Sequence, residues 1–114
     1  MSKMPKGLVA ASSRMVILAI LSRGSNYGYQ ILQTIKHLTE GGWVWKDGML
    51  YPVLHKMEKE KLIKSHWEEP ANGPSRKYYE ITELGLRQLK VEKEEWRFTE
   101  RVIHNLCGME TCLS

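Results

Sequence analysis

Residues 62–81, LIKSHWEEPANGPSRKYYEI, decide how the rest of the chain is read. Ile63, Ser65 and Trp67 alternate with Lys64, His66 and Glu68; after a Pro-Ala-Asn-Gly-Pro tip, Tyr79 and Ile81 alternate with Tyr78 and Glu80. Period-two alternation on both sides of a Pro/Gly turn predicts an antiparallel two-stranded ribbon. Its face with Ile63, Ser65, Trp67, Tyr79 and Ile81 is expected to pack on helices, and the other to be wet.

Three helical segments precede the ribbon. Residues 8–21 are almost wholly apolar or small apart from Ser12, Ser13 and Arg14, as a helix enclosed on most sides would be. RGSN at 23–26 breaks it, with Gly24 as the stop and Ser25 or Asn26 as the next N-cap. Gly28, Ile31, Leu32, Ile35 and Leu38 line one side of the second helix, which EGGW at 40–43 ends. The third, opening with DGMLYPVLHKME at 47–58 and running to about Lys61, buries Leu50, Val53, Leu54 and Met57. Pro52 lies inside it, where a proline typically costs about 3 kcal/mol. Its ring opposes the carbonyl of Gly48, so a bend in the first turns is expected, aiming Tyr51 and His55 at a groove. Thr82 is a good N-cap for a last helix, with Glu83 near its positive end.

Three helices followed by a hairpin is the order of a winged helix-turn-helix, a mainly α (α+β) fold. There the third helix enters the major groove and the hairpin tip meets backbone or minor groove. Opposite its buried stripe the third helix carries Met49, Pro52, His55, Lys56 and Lys59, and the wing adds Ser75, Arg76 and Lys77 just after its tip. Cations there would neutralise phosphates, and His55 could bond a base edge or a phosphate. On charge alone, Lys56, Lys59 and Lys61 beside Glu58 and Glu60 read equally well as a solvated face; the order of elements favours DNA.

Composition agrees. With 114 residues and 42% hydrophobic content the chain suffices for one core. Residues 1–81 hold 12 Lys/Arg against 7 Asp/Glu, and residues 82–114 hold 5 against 6, so the basic excess lies in the first part. The element order and this charge split divide the chain into a winged-helix DNA-binding part, 1–81, and a C-terminal helix and tail, 82–114, to which the family resemblance and the apolar sides given below assign dimerisation. No apolar run would span a bilayer and no signal-peptide cleavage pattern is evident, so a cytoplasmic protein without a membrane partner is expected. Cys107 and Cys112, spaced C-x4-C, form neither a disulfide framework nor a metal signature. His37, His55, His66 and His104 are scattered over separate elements and no phosphate loop appears, so no catalytic residue, metal or cofactor is expected.

The motifs YGYQILQTI, GMLYPVLHKMEKEKLI and GPSRKYYEITELGLRQL, in that order between Met15 and Leu106, resemble the PadR family of bacterial transcriptional regulators. The resemblance implies a DNA-binding regulator, in the short subfamily whose single C-terminal helix pairs with its symmetry mate. The full candidate DNA-binding set is Tyr27, Gly48, Met49, Tyr51, Pro52, His55, Lys56, Lys59, Ser75, Arg76 and Lys77. Departures from the family pattern are Lys46 and Asp47 for a common Ser-Pro, Met49 for threonine, Lys61 for a glycine after the third helix and Ser75 for a basic wing residue. The first moves the expected helix cap to Asp47.

At 100° per residue the last helix has two apolar sides, one with Leu86, Leu89, Trp96 and Ile103 and another with Val91, Phe98, Val102 and Leu106. Two sides call for two partners: the protomer's own first helix and a second copy of the chain. Leu89, Trp96, Ile103 and Leu106 are the candidate dimer residues, the first three at seven-residue spacing. Trp96 carries two readings. It is an interface anchor, or, by resemblance to multidrug-binding family members, a stacking surface for a small aromatic effector with Met15 of the first helix as a wall. The leading expectation is therefore a homodimeric repressor acting on an inverted-repeat operator in double-stranded DNA. The alternative is a winged helix that binds another protein without sequence-specific DNA binding, which charge reversal at Arg76 and Lys77 would distinguish.

Overall fold

The computed structural model describes residues 6–108. Along the chain run α1 (Lys6–Leu21), β1 (Asn26–Tyr27), α2 (Gly28–Leu38), α3 (Asp47–Lys59), β2 (Ile63–Glu68), β3 (Arg76–Ile81) and α4 (Glu83–Cys107). This is the expected winged helix-turn-helix followed by one long helix. The wing pairs from Ile63↔Ile81 to Glu68↔Arg76, so the ribbon forms in the register that the alternation implies.

The sheet has a third strand. Asn26 and Tyr27 pair with Tyr79 and Tyr78, giving the order β1-β3-β2. Because these residues are extended, the N-cap of α2 is Tyr27, with no capping side chain, and not Ser25 or Asn26. The Asn26 side-chain oxygen accepts from the Tyr27 amide instead, at 3.1 Å.

One core joins all the helices to the sheet: Ile17, Leu18 and Leu21 of α1, Ile31 and Ile35 of α2, Leu50, Leu54 and Met57 of α3, Ile63 and Tyr79 of the wing, and Leu89 of α4. Each such side chain contributes about 1.5–3 kcal/mol when fully buried. The α1 helix turns one stripe inward and leaves Leu8 and Ala11 exposed, so it is less enclosed than its composition suggests. The Ser12 and Ser13 hydroxyls, though buried, donate back to the carbonyls of Leu8 and Val9, which satisfies them inside the helix. Between α2 and α3, Trp43 and Trp45 meet edge to face at 5.3 Å and close the core from the loop.

Two helix ends use left-handed residues that are not glycine. At the end of α3, Lys61 (φ 65°) donates to the Glu58 carbonyl and Leu62 to that of Met57, the paired bonds of a Schellman cap. At the end of α2, Glu40 (φ 51°) and Gly41 do the same with His37 and Lys36. A side chain in this conformation costs roughly 1–2 kcal/mol, which the buried contacts of Leu62 and Met57 offset at the first site. Thr82 caps α4 as expected, accepting from the Gly85 amide at 3.0 Å while donating to the Lys61 carbonyl at 2.7 Å. The α4 start is thereby tied to the α3 end.

Candidate nucleic-acid interface

The reading helix α3 begins one residue earlier than a carboxylate cap would place it. Its N-cap is Lys46, without a capping side chain, and its carbonyl accepts from Met49 and Leu50. Asp47 is the first helical residue, where its charge still complements the positive end of the helix. The helix runs on through Pro52 to Lys59, and the missing Pro52 amide removes the usual fourth-residue donor to the Gly48 carbonyl.

Three clefts divide the candidate DNA residues among the surfaces of α3. Tyr51 and His55 face the wing, where they line a cleft of about 550 Å³ with Tyr27, Ser75, Arg76 and Lys77. Pro52 and Lys56 look the other way, toward Ser13 and Arg14 of α1. Gly48 borders a groove under α2 with Tyr29, Lys36, Trp45 and Lys46. Met49 and Lys59 are exposed. Of the candidate residues, Tyr27, Tyr51, His55, Ser75, Arg76 and Lys77 come together around one cleft, while Pro52, Lys56 and Gly48 border two others.

Within the convergent group the two wing cations differ. The Arg76 guanidinium lies 4.7 Å over the ring of Tyr27, the N-cap residue of α2, and no carboxylate pairs with it among the described residues. Lys77 is turned inward, with Nζ 4.0 Å from a Glu58 oxygen and 5.5 Å over the Tyr79 ring. Sequence reasoning missed the part played by Glu58, which had read as one charge on a solvated face. Its other oxygen accepts from the Ser65 hydroxyl at 2.5 Å, so one carboxylate of α3 fastens both wing strands. The spacing of helix and wing is fixed by this contact and by Tyr79.

Tyr79 is 1% exposed, and burial, helped by the Glu58 carboxylate and Tyr51, pushes its phenol above the ordinary value of 10.0. A raised folded-state value means that this residue's contribution is fully present below pH 10. It is lost as pH climbs through the folded value, because the unfolded chain releases the proton first. Urea midpoints are therefore expected to fall more steeply above about pH 10 in the wild type than in Tyr79→Phe.

Two further expectations are revised. Trp67 shares the strand face of buried Ile63, yet it is 66% exposed near the wing tip, where its partner in register is Lys77. The wet face is not purely polar either, since Tyr27 meets Tyr78 edge to face and His66 stacks on Tyr78. Leu89 is 4% exposed in the protomer's own core and has no surface left for a second chain, and Trp96 is half-buried on the same side of α4. Leu84, Val91, Phe98 and Val102 form the exposed stripe, and Ile103 and Leu106 are exposed where α4 extends past the core. Met15 packs against the core from α1. Cys107 is exposed, and Cys112 lies outside the described residues. No helix among the described residues is long and apolar enough to cross a membrane.

The comparisons with known proteins agree with this architecture. The sequence model of the transcriptional regulator PadR-like family matches residues 17–91. The transcriptional regulator YqjI of Escherichia coli (strain K12) is 33% identical over 94 residues, which are 82% of this chain but only 44% of that protein. A transcriptional regulator from Clostridium thermocellum superposes with a TM-score of 0.81 at 33% identity, covering 89% of this chain and 98% of that one. A PadR-like transcriptional regulator from Bacillus cereus strain ATCC 14579 gives 0.79 at 32% identity, covering 92% and 100%. With the reading helix, the wing and these matches in agreement, the chain belongs to the PadR-like family of transcriptional regulators, a family of regulators and not of enzymes.

Proposed function

We propose that this chain acts as a homodimeric, sequence-specific repressor that occupies an inverted-repeat operator, in the cytoplasm where the DNA lies. The observation that carries the reading is the meeting of Tyr51 and His55 of α3 with Arg76 of the wing around one cleft. In a docked complex α3 presents Met49, Tyr51 and His55 to the major groove while Arg76 neutralises a phosphate of the flanking strand. Lys56 and Lys59 have no carboxylate partner among the described residues and add to the phosphate-binding charge. The second copy docks through the exposed stripe of α4, not through Leu89.

Release by a small aromatic effector is part of the proposal. Trp96 and Met15 sit half-buried on α4 and α1, the two helices a ligand between subunits would touch. From there Arg14 offers a route to the DNA-reading end, since its guanidinium bonds Glu60 behind α3 at 3.2 Å and Glu92 of α4 at 3.5 Å. A shift of α4 then displaces a contact at the end of the reading helix.

Selection of bound sites from random duplex DNA tests the reading. The expected product is a palindrome whose half-sites lie about 34–36 Å apart, or a multiple of that, bound with a steep salt dependence. Recovery of no sequence above background, with and without added aromatic compounds, would count against it.

A further inference from the structure

We propose that Trp67 is a DNA contact, its indole lying against the deoxyribose wall of the strand that passes between the reading helix and the wing. The proposal rests on the DNA-binding reading above and adds to it a residue that neither the helix pattern nor the charge pattern selects. Trp67 projects from β2, an edge strand of the sheet, on the cleft side, opposite Lys77. It lines the same cleft as Tyr51, His55 and Arg76. Of the other aromatic residues that line it, Tyr79 is in the core and Tyr27 lies under the Arg76 guanidinium, while Tyr29 and Tyr51 are exposed on the α2 and α3 sides. The Trp67 indole has neither a ring partner nor a hydrogen-bond partner among the described residues, and it leaves a broad apolar surface open on the ribbon face that it shares with Lys77 and Tyr79.

A DNA strand has the complementary chemistry. Its deoxyribose rings offer apolar C–H surface, and its phosphates alternate with them along one edge. A strand running from the major groove at α3 to the minor groove at the wing tip has to cross this cleft. With phosphates drawn to the wing cations, of which Lys77 shares the face of Trp67, a sugar meets the indole, and the contact removes both apolar surfaces from water. The two cations among its lining residues, Arg76 and Lys77, favour a polyanion as the occupant.

The test uses the full chain and the labelled duplex enriched by the wild type, titrated by fluorescence anisotropy across a salt series. Trp67→Ala is expected to weaken binding about tenfold at every salt concentration, the loss of one well-packed aromatic contact. The slope of log affinity against log salt stays at its wild-type value, because an indole releases no counterions. Arg76→Ala, by contrast, flattens that slope by about one. Trp67→Phe recovers most of the lost affinity, and circular dichroism is unchanged in both Trp67 variants, since this side chain lies outside the core. A Trp67→Ala chain that binds within about twofold of the wild type overturns the proposal, as does a Trp67→Phe chain no better than the alanine variant. A wild type that enriches no duplex overturns the DNA-binding reading, and this proposal with it.

Discussion

Phe98→Glu is expected to convert the proposed dimer to monomers and to lower affinity for the proposed operator by about 10²- to 10⁴-fold, the gain that linking two half-site contacts ordinarily provides. Phe98 is 61% exposed near the middle of α4, with Val91 one heptad before it and Val102 one turn after it. Leu84 extends the seven-residue spacing to Leu84, Val91 and Phe98, the repeat that lets two helices keep one seam in contact. A two-fold axis at this seam places a carboxylate from each chain where two rings would pack. Each buried, unpaired charge costs several kcal/mol, more than one such seam supplies. Light scattering reads the assembly and titration with operator DNA reads the affinity. The contrasting variant is Leu89→Glu, which should lower folding stability first, because Leu89 belongs to the protomer core. A Phe98→Glu chain that remains dimeric would show that the second copy binds elsewhere.

The difference between Leu89 and Phe98 also marks where the sequence stopped being informative. Periodicity located both apolar sides of α4, since that signal is local, but which side meets α1 depends on the angle at which the helix leaves the sheet. The same limit hid β1. Asn26 carries the signature of a helix cap, and only its pairing with Tyr79, 53 residues on, makes it a strand. Local signals succeeded where the cause is local: the Thr82 cap, the Leu50, Leu54 and Met57 stripe, and the alternation of the wing. At the candidate site, residue type and element order picked Tyr51, His55 and Arg76, which line one cleft. Burial and long-range pairing, which no spacing encodes, turned Lys77 inward onto Glu58 and left Trp67 outside. Lys61 shows the converse case, in which the family pattern has a glycine at the helix end and a costlier residue holds the turn because Met57 and Leu62 are packed.

Gly85→Ala is expected to destabilise the fold by about 3 kcal/mol, at the upper end of what overpacking commonly costs. In the exposed interior of a helix the same change would stabilise by roughly 1 kcal/mol, so the sign of the effect is itself the test. Gly85 is buried in the first turn of α4, and a β-carbon there would stand 2.2 Å from the Leu62 carbonyl oxygen and 2.7 Å from Cγ1 of Ile81. The nearer obstacle is backbone and cannot rotate away. Leu62 cannot retreat either, because its amide closes the α3 cap on Met57 and its carbonyl accepts from the Thr82 amide at 3.0 Å. The start of α4 must therefore lift, which breaks the Thr82 bonds to the α3 end and draws Leu89 out of the core. A drop in melting temperature of about 12 °C corresponds to this loss in a domain of this size. Operator affinity, measured below the melting temperature, should fall as well, since the same junction sets the position of α3 against the wing. A Gly85→Ala chain more stable than the wild type would mean that α4 is free to shift at this junction.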